Sequence, residues 1–248
     1  MKHFDTAIIG GGIGGLMCAY RLCTQAPGMS VVLFEKGHDI ENRACPIVAG
    51  KADHCIKCPS CSIMEGLAGA GAFSDGKYVI STEYGGWLPE FLKPEVVLDY
   101  IEQADGILQH FGAPADRFMP SDELKKKCLA FDLHMSQAQL KHLGTDANFD
   151  TMRKMAQFLK EHVTILTDTN VMDVEKASHI VHYENAAGNG QLSAAHIVWA
   201  VGRSGSRYFS QWCAQNGIPL QNNQVDIGVR VELPSILWED FSKKIYEP

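Results

Sequence analysis

The run Gly10-Gly11-Gly12-Ile13-Gly14-Gly15 constrains the fold of this chain more than any other segment. It follows the apolar stretch Phe4 to Ile9 and precedes Leu16-Met17-Cys18-Ala19-Tyr20, so it reads as a strand, a tight turn and the opening of a helix. Gly10, Gly12 and Gly15 fit the G-x-G-x-x-G fingerprint of dinucleotide binding. Gly10 serves the tight turn, Gly12 admits a pyrophosphate to the backbone, and Gly15 lets the helix pack on the sheet. The bare amides at that helix start, Gly14 among them, face the phosphate charge. A second apolar strand, Val31 to Phe34, ends at Glu35 and Lys36. An acidic residue there is placed to bond the adenosine ribose hydroxyls and to repel a 2′-phosphate, which disfavours NADP at this site.

Composition narrows the function classes. Hydrophobic residues make up 46% of the 248, enough for a sizeable core, and the net charge of −7 speaks against a nucleic-acid surface. No apolar stretch reaches the ~20 residues needed to span a bilayer. The expectation is a cytoplasmic protein with no nucleic-acid or membrane partner. The first apolar segment, with its glycines and Asp5, suits a buried strand better than a signal peptide.

After the first strand–helix–strand unit comes an irregular Gly-, Cys- and Pro-rich stretch from Gly37 to Gly76. A NAD dehydrogenase ordinarily continues into another helix and strand, so the pattern points to FAD. Helices are expected over Pro94–Phe111, after an N-cap at Ser121, over Asn148–Glu161 and over Tyr208–Asn216. Strands are expected over 163–166, 169–174, 180–183 paired with 191–193, 196–200 and 225–233. The strand at 196–200 reads as fully apolar, of the buried parallel kind.

This order of pieces resembles the glutathione-reductase-like flavoproteins. Within them, Gly66-Leu67-Ala68-Gly69-Ala70-Gly71-Ala72-Phe73-Ser74-Asp75-Gly76-Lys77 resembles the GGAGxFSDGK segment of a bacterial and archaeal family of FAD-dependent dehydrogenases. Cys45-Pro46 with Cys55, Cys58 and Cys61, the segment His142-Leu143-Gly144-Thr145-Asp146, and Ala200-Val201-Gly202-Arg203-Ser204-Gly205 agree with it. Ala68 departs from the pattern, which has Gly there. The resemblance covers nearly the whole chain and implies an α/β fold. In it, a Rossmann-like FAD/NAD(P)-binding domain (1–85 and 155–205) carries a helical insertion (86–154) and leads into the start of a second, substrate domain (206–248) that is expected to be truncated.

Read physically, the small residues from Gly66 to Gly76, with Gly69, Ala70, Gly71, Ser74 and Asp75, let backbone amides approach a flat, electron-rich ring. Those amides or Lys77 supply donors where a flavin gains charge. The turn Ala200, Gly202, Arg203 follows a strand's C-terminal end, where open sheets bind ligands. The resemblance passes this turn close to FAD and matches Val171 to a place that offers backbone atoms to adenine. His142 and Asp146 are spaced to share a proton.

The steps Cys55-x-x-Cys58-x-x-Cys61, with Cys45, admit three readings: an iron–sulfur cluster or zinc, a redox dithiol exchanging with a flavin, or unligated thiols. The resemblance also implies a late Gly-Asp segment closing the FAD site, and no Gly-Asp dipeptide occurs. The expectation is therefore that a C-terminal half or a partner chain completes the protein, or that the chain is a fragment that binds FAD poorly and aggregates. The function expected is an FAD-dependent oxidoreductase acting on a small-molecule substrate or electron donor, with NAD(P)H as a possible donor. The alternative is a non-catalytic dinucleotide-binding or electron-relay component.

Overall fold

The computed structural model describes residues 1–83, 85–135, 138–222, 225, 227–237 and 239. The chain divides into two compact units, residues 1–74 with 149–221 and residues 75–148 with 222–248.

The first unit is built on a six-stranded mixed sheet. Strand β1 (Lys2–Ile9) is followed by helix α1 (Ile13–Gln25) and strand β2 (Val31–Phe34), which pairs parallel to β1 from Thr6↔Val31 to Ile9↔Phe34. Val31 to Phe34 are all buried, as expected of a parallel strand covered on both faces. Helix α1 turns Gly15, Leu16 and Ala19 inward. The remaining strands, numbered by chain position, are β5 (Thr164–Leu166), β6 (Asn170–Val174), β7 (Ile180–Asn185) and β8 (Gly188–Trp199), and the sheet order is β5-β2-β1-β8-β7-β6. Strand β8 lies parallel to β1 and antiparallel to β7. An antiparallel meander thus returns the chain to the sheet centre, where an all-parallel fold has a helix. The two strands expected at 191–193 and 196–200 are one strand of twelve residues, because β1 supports its whole second half. Its last three residues are half-buried rather than fully buried.

Helix α5 (Gly202–Gln215) belongs to this unit: Trp212 and Cys213 are buried in one core with Phe4, Phe34, Val174 and Leu192. The Trp212 indole N–H donates to the Val174 carbonyl at 2.7 Å. The boundary expected at 205/206 therefore falls after Gln221, since the apolar stripe of α5 is spent on this sheet.

The second unit holds a two-stranded antiparallel sheet of β3 (Lys77–Ile80) and β4 (Gln139–His142), with helices α2 (Pro94–His110) and α3 (Asp122–Leu129). The Ser121 hydroxyl caps α3 by accepting from the Leu124 amide at 3.2 Å. At its centre Asp105, 1% exposed, accepts from Lys141 and Tyr78 at 2.7 Å and from Arg117 and Gln109 at 2.9 Å. A wholly buried lysine is tolerable only with such a partner. Helix α4 (Thr145–His162) starts in this unit and continues in the first, where Met152, Met155, Ala156 and Leu159 are buried. The strand expected over 225–233 is not formed among the described residues, and Val225, Ile227, Val229 and Val231 are exposed. No helix among the described residues is long and apolar enough to cross a membrane.

Candidate functional site

The glycine turn does two different jobs. A Cβ on Gly10, whose φ is +109°, would stand 2.3 Å from the Ala200 carbonyl oxygen, and one on Gly15 would stand 2.0 Å from that of Gly10. These glycines exist for close packing of β1, α1 and the end of β8. A Cβ on Gly12 or Gly14 would meet nothing within 4 Å. Gly12 is the N-cap of α1, and no side chain caps the helix. Its first-turn amides are left for a ligand or water.

Gly12 lines a cleft of about 580 Å³. One wall is Gly12–Ile13, a second is Gly66 with Ala68 to Gly71, and a third is Ala200 to Ser204. The second wall approaches closely, since a Cβ on Gly69 would lie 3.1 Å from the Gly12 Cα. Ala68, the departure from glycine, is buried with φ +73°, and its amide donates to the Gly11 carbonyl at 2.8 Å. A non-glycine residue in that left-handed region costs about 1–2 kcal/mol. A neighbouring cavity of about 280 Å³ shares Gly10, Glu35, Val201 and Ser204 with the cleft. Its other walls include Ile9, Phe34, Val171, Met172 and Tyr208, a largely apolar lining suited to a flat base.

Glu35 sits where the two cavities meet and is 7% exposed. Its Oε2 accepts from the Gly11 amide at 2.8 Å, and its Oε1 from Gly37 at 2.8 Å and Gly66 at 3.1 Å. The carboxylate therefore ties the glycine turn to the second wall. Two oxygens offer about four lone pairs, so a fourth donor fits. Lys36 pairs with Glu65 at 2.7 Å on the rim.

Sequence reasoning missed Arg43. It is 7% exposed and donates to four backbone carbonyls: Ser62 and Ile63 at 2.9 Å, Leu67 at 2.9 Å and Gly69 at 2.7 Å. Its guanidinium lies 4.6 Å from the centre of the Phe73 ring. Burial pushes it down to about 10 against the pull of Glu35 and Cys61, so it is cationic at neutral pH. No spacing rule singles out one arginine in an irregular loop.

Of the residues expected to hold a cofactor, Gly10, Gly12, Glu35, Gly69, Ala70, Gly71, Ala200, Gly202 and Arg203 line the cleft, and Lys36 and Val171 line the adjoining cavity. Gly15 is a packing residue, and Gly14 is exposed. The Ser74 hydroxyl donates to the Gly71 carbonyl at 2.8 Å, within the wall. The expected turn at 200–205 is shorter than read, because Gly202 already opens α5.

Asp75, Gly76, Lys77, His142 and Asp146 belong to the second unit. There Lys77 and His142 are opposite residues of β3 and β4, and His142 Nε2 lies 3.3 Å from Asp75 Oδ2. Asp146 is exposed in the first turn of α4.

Cys45, Cys55, Cys58 and Cys61 are free thiols lining one cavity of about 70 Å³. The structure brings them together but not onto one centre: among the described residues no three His, Cys, Asp or Glu side chains stand where they could hold a metal.

A family model described as an NAD(P)-binding Rossmann-like domain matches residues 8–44. No curated protein matches the chain. Among solved structures, it is similar to the L-amino acid deaminase from Proteus vulgaris, with 16% identity, a TM-score of 0.42, and coverage of 85% of this chain and 50% of that one. It is also similar to THI4 from Thermovibrio ammonificans (16%, TM-score 0.47, 87% and 62%). A third is glycine oxidase from Geobacillus kaustophilus (15%, TM-score 0.41, 88% and 59%). The chain thus spans less than two thirds of each. Likeness at this level does not carry activity over.

Proposed function

We propose that the first unit binds FAD across its two joined cavities and that the protein is an FAD-dependent oxidoreductase. The observation that carries this reading is the uncapped start of α1 at Gly12, open to a cleft whose opposite wall is the small-residue segment 66–71. A single helix start suits any phosphate. A second backbone wall and an adjoining apolar cavity suit a long dinucleotide, and the antiparallel return through β6 to β8 departs from the all-parallel NAD pattern.

In this reading the amides of Ile13 and Gly14 meet the pyrophosphate. Glu35 offers its remaining lone pair to the ribose, and the backbone at Val171 meets adenine. When bound, the isoalloxazine ring supplies the hydride or electron transfer, and the protein binds, orients and polarises it. In the second unit, His142 Nε2 beside Asp75 holds or passes a proton, with Lys77 opposite as a cation.

NAD(P)H is the electron donor we propose, and the substrate is a small molecule. An iron–sulfur cluster or zinc on the four thiols is a separate proposal. It requires the 45–61 loop to contract around the ion, because the thiols as placed do not reach one centre. No step is routed through it.

The test is the absorption spectrum and flavin stoichiometry of purified protein, followed by a titration with FAD and anaerobic addition of NAD(P)H. Flavin bands that bleach with a donor are expected. A protein that binds neither FAD nor ADP refutes the reading, and a bound flavin that no donor reduces points to the electron-relay alternative.

A further inference from the structure

Arg43 is buried against the wall of the cleft, with no carboxylate hydrogen-bonded to it among the described residues; backbone carbonyls satisfy it instead. The wall is shaped around it: a Cβ on Gly66 would stand 2.8 Å from the Arg43 Cδ. One of the carbonyls it holds is that of Gly69, at 2.7 Å. In a planar trans peptide the C=O and the following N–H point in opposite directions. Holding the Gly69 oxygen therefore turns the Ala70 N–H away from Arg43. Ala70 lines the cleft, and its N–H has no acceptor among the described residues. Gly69 itself abuts Gly12, at the proposed pyrophosphate position.

We propose that Arg43 is a positioning residue that aims the Ala70 N–H at the diphosphate of the bound cofactor. This rests on the dinucleotide reading above. The cation stays behind the wall, where it orients a neutral donor and adds positive potential to an anionic site. Lysine is not a substitute, because one ammonium cannot span the Ser62, Leu67 and Gly69 carbonyls with a rigid fork.

Two variants test this by different routes. Arg43→Lys removes the fork. Ala70→Pro deletes only the N–H, at the first residue of the short 3-10 turn Ala70–Phe73, and the preceding Gly69 has the extended ψ of −170° that proline requires. Binding of ADP and of adenosine to flavin-free protein is measured by calorimetry, with thermal unfolding alongside. Each variant is expected to bind ADP about tenfold more weakly, the loss of one hydrogen bond to a charged group. Adenosine binding is expected to stay within about twofold, and Ala70→Pro to unfold near the wild-type temperature.

Equal weakening of ADP and adenosine in Arg43→Lys makes the role merely structural and overturns the proposal. Full ADP affinity in Ala70→Pro also overturns it. Wild-type protein that binds neither ADP nor FAD refutes the underlying reading and the proposal with it. Binding of ADP without FAD refutes only the FAD assignment, and the two variants still decide the role of Arg43.

Discussion

Replacing Glu35 tests whether this carboxylate is a ligand contact or a brace. Gly11, Gly37 and Gly66 are all buried, and each donates its amide to Glu35. Glu35→Ala leaves three donors without a partner, at about 1–3 kcal/mol each, so a loss of about 3–6 kcal/mol is expected when water enters part of the space. That is a large share of the 5–15 kcal/mol that holds a typical domain. Glu35→Gln is milder. Its carbonyl oxygen can keep Gly37 and Gly66, while its NH₂ group opposes the Gly11 N–H, so one bond is lost at about 1–3 kcal/mol. Urea unfolding of flavin-free protein, followed by far-UV circular dichroism, reads the difference directly. With a slope of about 2 kcal/mol per M, the Ala midpoint should fall by about 2 M and the Gln midpoint by about 1 M. FAD affinity should fall in both, because the turn and the second wall lose their tie. A wild-type midpoint in Glu35→Ala, with weakened FAD binding alone, would refute the brace and leave a simple ribose contact.

The two kinds of glycine in the N-terminal turn should respond oppositely. Gly14→Ala, with open space around it, should raise the melting temperature of flavin-free protein through helix propensity worth about 1 kcal/mol, whereas Gly15→Ala should abolish cooperative folding because its Cβ would sit 2.0 Å from the Gly10 oxygen. Asp105 should make the second unit acid-sensitive. Burial raises its pKa, but the hydrogen bonds from Lys141 and Tyr78 and the charge of Lys141 outweigh it, so the folded value lies below the ordinary 3.8. Its contribution is therefore complete above about pH 3.8 and lost as pH falls through the lower folded value. Urea midpoints measured downward from pH 7 should decline less steeply in Asp105→Asn, which should also be about 3–5 kcal/mol less stable at neutral pH, with Lys141 keeping the Pro114 carbonyl but no counter-charge. In metal-free protein, exposed Cys55 should be alkylated first, and buried Cys128 and Cys213 only on unfolding, as peptide mapping at intervals will report. Metal analysis of anaerobically purified protein should find iron and sulfide, or zinc; all four loop thiols alkylating freely with no metal present would refute the metal proposal.

The sequence by itself determined the elements whose signals are local. Val31 to Phe34 is a buried strand because four consecutive apolar residues cannot face water. Gly10 and Gly12 lie between an apolar strand and a helix, with Gly15 in the helix's first turn, and that spacing set both the turn and the cleft at its mouth. Ser121 announced α3 through its capping hydroxyl. Other features came only with the tertiary structure, because their causes are distant in the chain. Strands β3 and β4 are four residues each, too short for a periodic signal, and form because they pair with each other. The two strands read between 191 and 200 are one because β1 runs beside them. Helix α5 belongs to the first sheet because Trp212 and Cys213 pack into its core, against residues far away in the chain. Glu35 was legible as an acid at a strand end, but its three amide partners come from residues 11, 37 and 66, which only folding brings together. Arg43 was not legible at all: backbone carbonyls recognise it, every residue carries one, and only the path of the 62–69 loop places four of them around a single guanidinium.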